Sequence, residues 1–199
     1  SITPPLDTPI GLYRKNVQLT DVVLEGGRYS FDFSRLERLI KLALDCGIEY
    51  FEHPHLFTQW GAKHAPAIYA TVDGEERRIF GWDTDAAGEE YVTFLKKMLT
   101  EVTAYLEKKG LKDRTYFHIS DEPTKDMIDS YKAAKDSIAD LLADYTIMDA
   151  LSSYEFYKQG VVKTPIPCND HIKPFLESNV PDLWTYYCCG QWQNVSNRF

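Results

Sequence analysis

Two adjacent carboxylates form the pair in this sequence best suited to acid–base chemistry. Asp121 and Glu122 follow the apolar run Tyr116–Ile119 and precede Pro123. Side chains inside a strand alternate between its faces, so neighbours there point apart, whereas beyond the strand end the backbone is free to turn. Pro123 fixes its own φ and disfavours helical geometry at Glu122. The sequence therefore predicts a rigid turn from which both carboxylates face one cleft.

Such a pair suits the cleavage of a glycosidic bond. That reaction needs one acid to protonate the leaving oxygen and one negative group to stabilise the oxocarbenium-like centre. Two close carboxylates push each other's pKa values apart, so that one can keep its proton near neutral pH. The structural alternative is that Asp121 or Thr124 only caps the following helix, and the residues alone leave both interpretations open.

Histidines raise the question of a metal site. His53 and His55 are alternate residues at the end of a predicted strand and share one face, as metal ligands do. A dinuclear site would need further histidines at later strand ends, and only His118 lies in a predicted strand. We predict no metal, and expect His53 and His55 to line the cleft or to form structural hydrogen bonds.

The elements that must position these residues alternate between helix and strand. Apolar spacing predicts helices over residues 33–46, 85–109, 124–143, 153–159 and 170–178, and strands over 48–52, 115–119, 145–150 and 183–188. This order is typical of a parallel α/β protein. Ser34 and Glu37 predict a capping box on the first helix, and Gly47 and Gly110 predict left-handed helix ends. The first helix carries a predicted buried stripe of Leu36, Leu39, Ile40, Ala43 and Leu44.

A β-hairpin is predicted over residues 67–82, with its turn at Asp73-Gly74-Glu75. We interpret it as an insertion on the rim of a single domain that covers residues 1–199. The pattern yields four or five parallel strands, too few for a closed (β/α)8 TIM-type barrel. The expected fold is therefore a partial, truncated barrel, with an open sheet as the alternative.

Composition and charge limit the classes of binding partner. The 199 residues are 44% hydrophobic, enough for one core, and their net charge of −8 argues against nucleic acid or an anionic membrane as partner. No apolar run is long enough to span a membrane, and no signal-peptide pattern opens the chain. The cysteines form no CxxC pair, which mildly favours the cytoplasm, although secretion stays open. The oligomeric state is unknown.

Several segments resemble family 123 glycoside hydrolases, the β-N-acetylgalactosaminidases. The most specific is His118-Ile119-Ser120-Asp121-Glu122-Pro123, which is similar to the catalytic strand motif of that family. Trp60–Pro66, Ile79–Trp82 and Leu183–Cys188 are similar to other family segments. The resemblance covers most of the chain from about Phe31 onward. The family's N-terminal β-sandwich and last barrel strands have no counterpart in these residues.

The resemblance implies a retaining hydrolase for terminal β-linked N-acetylhexosamine, preferably N-acetylgalactosamine. The sugar's own 2-acetamido oxygen would attack the anomeric carbon, with Glu122 as general acid/base and Asp121 orienting the acetamido group; no cofactor is implied. The alternatives are a conventional double-displacement glycosidase and a non-catalytic carbohydrate-binding or structural domain. Aromatic rings and residues near strand ends or rim loops supply the candidate substrate-binding set: His118, Lys63, Trp82, Asp149, Tyr186 and Trp192.

Overall fold

The computed structural model describes residues 17–187, which form two four-stranded sheets. One sheet is parallel, with the order β3-β6-β7-β8. Its strands are β3 (Phe51–Glu52), β6 (Thr115–Phe117), β7 (Thr146–Ala150) and β8 (Thr164–Ile166). The second sheet has the order β2-β1-β4-β5. Its strands are β1 (Asp21–Glu25), β2 (Arg28–Asp32), β4 (Ile68–Val72) and β5 (Glu75–Phe80).

Helices connect the parallel strands. They are α1 (Ser34–Asp45), α2 (Glu89–Lys108), α3 (Ile128–Asp136), α4 (Tyr154–Lys158) and α5 (Lys173–Glu177), with 3-10 turns at Lys112–Arg114, Lys125–Met127 and Asn169–His171. All four parallel strands end at the same edge of their sheet, which is where ligands bind in such folds. Residues 17–187 include no closed barrel, so the predicted TIM-type barrel is not confirmed, and the four parallel strands form a sheet with two open edges. The predicted α/β class is confirmed.

The predicted hairpin is present as β4 and β5. Asp73 and Gly74 at its turn have φ values of 53° and 82°, the left-handed geometry of a tight hairpin turn. The sequence analysis missed the β1–β2 hairpin, which turns at Gly26-Gly27. Because β1 pairs in parallel with β4, the two hairpins form one sheet. The predicted insertion is thus half of a larger element.

Helix α2 joins the two sheets into one core. Its buried side chains include Tyr91, Leu95, Met98 and Val102. The Phe94 ring lies edge-on to Tyr29 of β2, with 5.1 Å between the ring centroids. The Tyr91 hydroxyl donates to the backbone carbonyl of Leu56, beyond the end of β3. The same helix therefore contacts both the hairpin sheet and the edge of the parallel sheet where such folds place their active sites.

Details of the first helix differ from the prediction. The capping box is wrong, because the Ser34 amide and hydroxyl both donate to Asp32 and the Glu37 side chain pairs with Lys109. Leu36 and Ile40 are buried, but Leu39 and Leu44 are each 40% exposed. The left-handed ends at Gly47 and Gly110 are confirmed, with φ values of 82° and 67°.

Other boundaries are shorter than predicted. The helix predicted over 124–143 is divided into a 3-10 turn and α3, and residues 137–143 form turns. The predicted strand 183–188 forms a single parallel bridge, Cys168 to Tyr186, within the described part of the chain. β8 was missed because it contains Pro165, which is tolerated at the sheet edge it occupies. No helix among residues 17–187 has the length and apolarity needed to cross a bilayer.

Candidate functional site

A cavity of about 710 Å³ opens at the carboxyl edge of the parallel sheet. This volume lies within the usual range for small-molecule sites. Its polar lining comes from the ends of β3 and β6 and from the segment beside β8: Glu52, His53, His55, His118, Asp121, Glu122 and Tyr186. A second groove of about 450 Å³ is also lined by Glu122 and Tyr186. Glu122 therefore stands between two cavities.

A third, smaller cavity of about 260 Å³ lies at the opposite edge of the sheet. Thr146 and Thr164, the first residues of β7 and β8, line it together with Lys135. Its lining has no carboxylate. Of these three cavities, the two at the carboxyl edge are therefore the ones lined by carboxylates.

Backbone pairing continues beyond the end of β6 and carries the chain to the cavity. The Leu56 and Phe57 amides donate to the His118 and Ile119 carbonyls at 3.0 and 3.1 Å. On the other side, the Ile119 amide donates to both carboxylate oxygens of Asp149, at 3.0 and 3.2 Å. The segment is thus held from two neighbouring strands up to the residue before Ser120.

Ser120 fastens a neighbouring loop to the carboxylate turn. Its side chain is fully buried. The hydroxyl donates to the Thr58 carbonyl at 2.8 Å and accepts from the Gly61 and Ala62 amides, each at 3.2 Å. Gly61 has a φ of 102°, and a side chain there would come within 2.7 Å of Met127. The Ser120 hydroxyl therefore binds three residues of the loop 58–62 to this turn.

Glu122 occupies the left-handed region, with a φ of 45°. This conformation is uncommon for a residue with a side chain and occurs preferentially at functional sites. Two backbone hydrogen bonds hold it: the Glu122 amide donates to Ala150 at 2.9 Å, and the Trp60 amide donates to the Asp121 carbonyl at 2.8 Å. The turn places both carboxylates in the lining of the same cavity.

The two acids have different surroundings. Asp121 is half-buried, and burial, followed by the charges of Glu122 and Asp149, raises its pKa to about 6, while His118 acts in the opposite direction. Glu122 is exposed and accepts a hydrogen bond of 2.5 Å from the Tyr186 hydroxyl. Burial, together with this bond to Glu122, raises the pKa of Tyr186, so Tyr186 acts as a donor.

His118 lies between two carboxylates. Its Nδ1 is 3.4 Å from Asp149 Oδ1, and its Nε2 is 3.4 Å from Glu52 Oε2. Burial lowers the pKa of His118, but these carboxylates outweigh it and raise the pKa to about 9. The Glu52 side chain is 65% exposed, so water screens its attraction and the buried Asp149 supplies the larger share.

The other two histidines of this edge are neutral. The His53 ring stacks on Phe117 with 4.8 Å between centroids, and burial lowers its pKa to about 3. The His55 ring lies 5.1 Å from that of His118, and burial lowers its pKa to about 4. His53 Nδ1 is 2.7 Å from the Pro54 carbonyl oxygen, a local bond.

The described residues 17–187 contain one group of side chains that could hold a metal ion: His55, His118 and Asp149. Their possible ligand atoms lie within 4.8 Å of one another. A metal would have to displace the proton that both carboxylates stabilise on His118. It would also compete for Asp149, whose oxygens already accept from the Ile119 amide and the Tyr131 hydroxyl. The arrangement favours a proton over a metal ion.

The remaining predicted substrate-binding residues are dispersed. Asp149 is fully buried beneath His118 and does not line the cavity. Lys63 is exposed outside both cavities at this edge, and Trp82 packs on His64 with 5.6 Å between ring centroids. Trp192 lies outside the described residues. Sequence reasoning missed Glu52 as a cleft residue, although its place at the end of a predicted strand was the available signal.

Two adjacent carboxyl groups at the carboxyl edge of a parallel sheet are placed where such folds carry their active sites, and paired carboxyl groups are what glycosidic cleavage needs. The sequence profile of the glycoside hydrolase 123 catalytic domain matches residues 2–199. The chain belongs to this family.

One solved structure places the fold. It is a family 123 glycoside hydrolase from Clostridium perfringens, studied for glycolipid glycan hydrolysis, with a TM-score of 0.65 and 18% sequence identity. The alignment covers 91% of this chain and 34% of that one, so this chain spans about a third of the length of the solved structure. At this identity the similarity shows the fold alone. No curated protein matches the chain.

The Ser120 hydroxyl can be tested directly. Ser120→Ala leaves the Gly61 and Ala62 amides and the Thr58 carbonyl without their partner, at a cost of about 1–3 kcal/mol for each buried group left unpaired. We expect the free energy of unfolding, measured with urea, to fall by at least about 2 kcal/mol. The control is Ser137→Ala, which removes one half-buried bond to Ala134. Equal stability of the two variants would contradict this role of Ser120.

Proposed function

We propose that the chain is the catalytic part of a retaining glycoside hydrolase acting on terminal β-linked N-acetylhexosamine, with N-acetylgalactosamine preferred. The observation that carries this proposal is that Asp121 and Glu122, adjacent in sequence, line one cavity at the carboxyl edge of the parallel sheet. Membership of family 123 supports the reaction class.

In the proposed mechanism the substrate supplies the nucleophile. The acetamido carbonyl oxygen attacks the anomeric carbon while the bond to the leaving oxygen breaks, and Glu122 donates its proton to that oxygen. Asp121, as an anion, accepts the acetamido N–H and stabilises the positive charge of the cyclised intermediate. Glu122 then takes a proton from water, which opens the ring with net retention.

The position of Glu122 suits the role of general acid/base. Glu122 lies between the main cavity and the adjoining groove, so a leaving group can extend into the groove while the sugar occupies the cavity. The Tyr186 hydroxyl fixes Glu122 Oε1 at 2.5 Å, which leaves the other oxygen for the leaving group. Trp184, which is 54% exposed and lines the cavity, offers an apolar face to a sugar ring.

The charge of the cavity favours a neutral sugar. Glu52, Asp121 and Glu122 line it, and His118 is the charged cation among the described lining residues. An acidic sugar would meet net repulsion here. Glycolipid glycans, on which the relative from Clostridium perfringens was studied, are one source of terminal amino sugars to include as substrates.

One observation favours a second assignment of roles. The pKa of Asp121 is raised to about 6, a property of general acids. Asp121 would then protonate the leaving oxygen, and Glu122 would act as the negative group, either on the acetamido group or as a covalent nucleophile. Substrates with different leaving groups and a thiazoline inhibitor distinguish these assignments.

The first test is the leaving-group dependence of Glu122→Gln, with Asp121→Asn in parallel. If Glu122 is the acid, Glu122→Gln lowers kcat/KM by about a hundredfold to ten-thousandfold for an alkyl β-N-acetylgalactosaminide. It should lower kcat/KM far less for a dinitrophenyl glycoside, whose leaving group needs no proton. The assays use the 199-residue chain and the whole product of its gene.

Glu76→Gln is the matched control, because it removes one exposed carboxylate of β5, away from the cavity. If the dinitrophenyl glycoside restores the activity of Asp121→Asn and not that of Glu122→Gln, Asp121 is the general acid and the two roles are reversed. Saturable sugar binding without turnover by either protein would identify a binding domain and refute the hydrolase.

The second test concerns the nucleophile. A thiazoline analogue of N-acetylgalactosamine mimics the cyclised intermediate, and an enzyme that uses the acetamido group should bind it about a hundredfold or more tightly than substrate. Competition against the dinitrophenyl glycoside measures this affinity. Weak thiazoline inhibition, with a covalent sugar adduct on Glu122 found by mass spectrometry, would instead establish the double-displacement mechanism.

The third test is the acid limb of the pH profile. Asp121 must be ionised to stabilise the acetamido group, and its pKa is raised to about 6. We therefore expect kcat/KM to fall as the pH decreases through about 6. Asp121→Asn should lack this limb in its residual activity. An acid limb that persists unchanged in Asp121→Asn would assign it to another group.

A further inference from the structure

His118 is the buried basic group of a strongly acidic cavity. The titratable groups around it come from each element packed against it: Glu52, His53 and His55 from β3 and its extension, Asp149 from β7, and Asp121 and Glu122 from its own segment. His53 and His55 are neutral, because burial lowers the pKa of each, to about 3 and about 4. His118 thus lies 3.4 Å from two carboxylates and shares the cavity lining with Asp121 and Glu122, with no other cation among the described residues of that lining.

Asp149 fixes one side of the His118 ring. Its oxygens accept from the Ile119 amide at 3.0 and 3.2 Å and from the hydroxyl of the fully buried Tyr131. With these donors in place the carboxylate cannot rotate away, and its Oδ1 remains 3.4 Å from His118 Nδ1. On the other side of the ring, Glu52 Oε2 lies 3.4 Å from His118 Nε2, although most of the Glu52 side chain is exposed.

We propose that His118, held by Asp149 and Glu52, is a positively charged positioning residue that keeps Asp121 ionised in the working cleft. The structural part of this proposal concerns the free chain, and its catalytic meaning rests on the proposed function. His118 would therefore act through Asp121 and not by binding the sugar.

The charge balance around Asp121 supports this role. Burial and the charges of Glu122 and Asp149 each favour the protonated acid, and His118 is the group that opposes them. Like charges held close together otherwise force one carboxyl to keep its proton. Without the imidazolium, Asp121 would stay protonated to a higher pH and could not accept the acetamido N–H as an anion.

The test follows the titrations of Asp121 and His118 by NMR in the 199-residue chain, with 13C-labelled carboxyl and imidazole carbons and no sugar present. In the wild type we expect a charged His118 at pH 7 and an Asp121 midpoint of about 6. In His118→Gln the Asp121 midpoint should rise by about one pH unit. A neutral His118 at pH 7, or an Asp121 midpoint that does not move in His118→Gln, would overturn the proposal.

Glu52→Gln separates the two titrations. It removes one partner of the imidazolium, so the His118 midpoint should fall from about 9, while the Asp121 midpoint should stay, since His118 is still charged at pH 6. Glu76→Gln, on the hairpin, should change neither. A His118 midpoint that does not fall in Glu52→Gln would show that Glu52 does not stabilise the imidazolium and would contradict the proposal.

A zinc titration of the wild type tests the competing use of the same side chains. One equivalent that shifts the His55 and His118 resonances together would show a metal site and overturn the proposal. If the NMR titrations give the expected midpoints and no glycoside is cleaved, the proposed function is refuted, whereas the effect of His118 on the ionisation of Asp121 is confirmed. If an activity is found, His118→Gln should move its acid limb upward, which a purely structural role would not do.

Discussion

The carboxylate of Asp149 is the fixed point on which this site depends. It lies on a central strand of the parallel sheet, is inaccessible to water, and accepts from the Ile119 amide and the Tyr131 hydroxyl. A buried charge is stable only when its partners are complete, so these contacts are mutually required. Strand β6, helix α3 and the His118 ring are therefore positioned by one group.

From this point the carboxylate turn is built outward. Ile119, held by Asp149, is followed by Ser120, whose hydroxyl binds the loop 58–62, and then by Asp121 and Glu122. The left-handed conformation of Glu122 is strained and persists because backbone hydrogen bonds hold Asp121 and Glu122. Local strain is thus compensated by contacts to β7 and to the loop 58–62, which sets the direction of both acids before any substrate arrives.

What the sequence could predict was local. The turn after β6 follows from a strand end and Pro123, and the ends at Gly47 and Gly110 follow from the left-handed preference of glycine. The charged environment of His118 could not be predicted, because Glu52 and Asp149 come from distant parts of the chain. The capping box failed for the same reason, since Glu37 finds Lys109 across space.

The missed elements had weaker signals. Gly26-Gly27 between alternating residues is typical of a hairpin, and it was overlooked because no chemistry lay near it. β8 has only three residues and contains a proline, which in sequence argues against a strand. It forms because it adds to the edge of a sheet that already exists, a context that sequence alone does not provide.

Asp121 and Glu122 show how adjacent residues of similar chemistry acquire different properties. The Asp121 side chain is half-buried among carboxylates and His118. The side chain of the next residue, Glu122, is exposed and lies beside Tyr186. A strand would have separated them onto opposite faces, and a helix would have turned them about 100° apart. A strained turn instead lets both side chains line one cavity while each has its own surroundings. The unusual φ of Glu122 is therefore the structural condition that allows the two acids to have different roles.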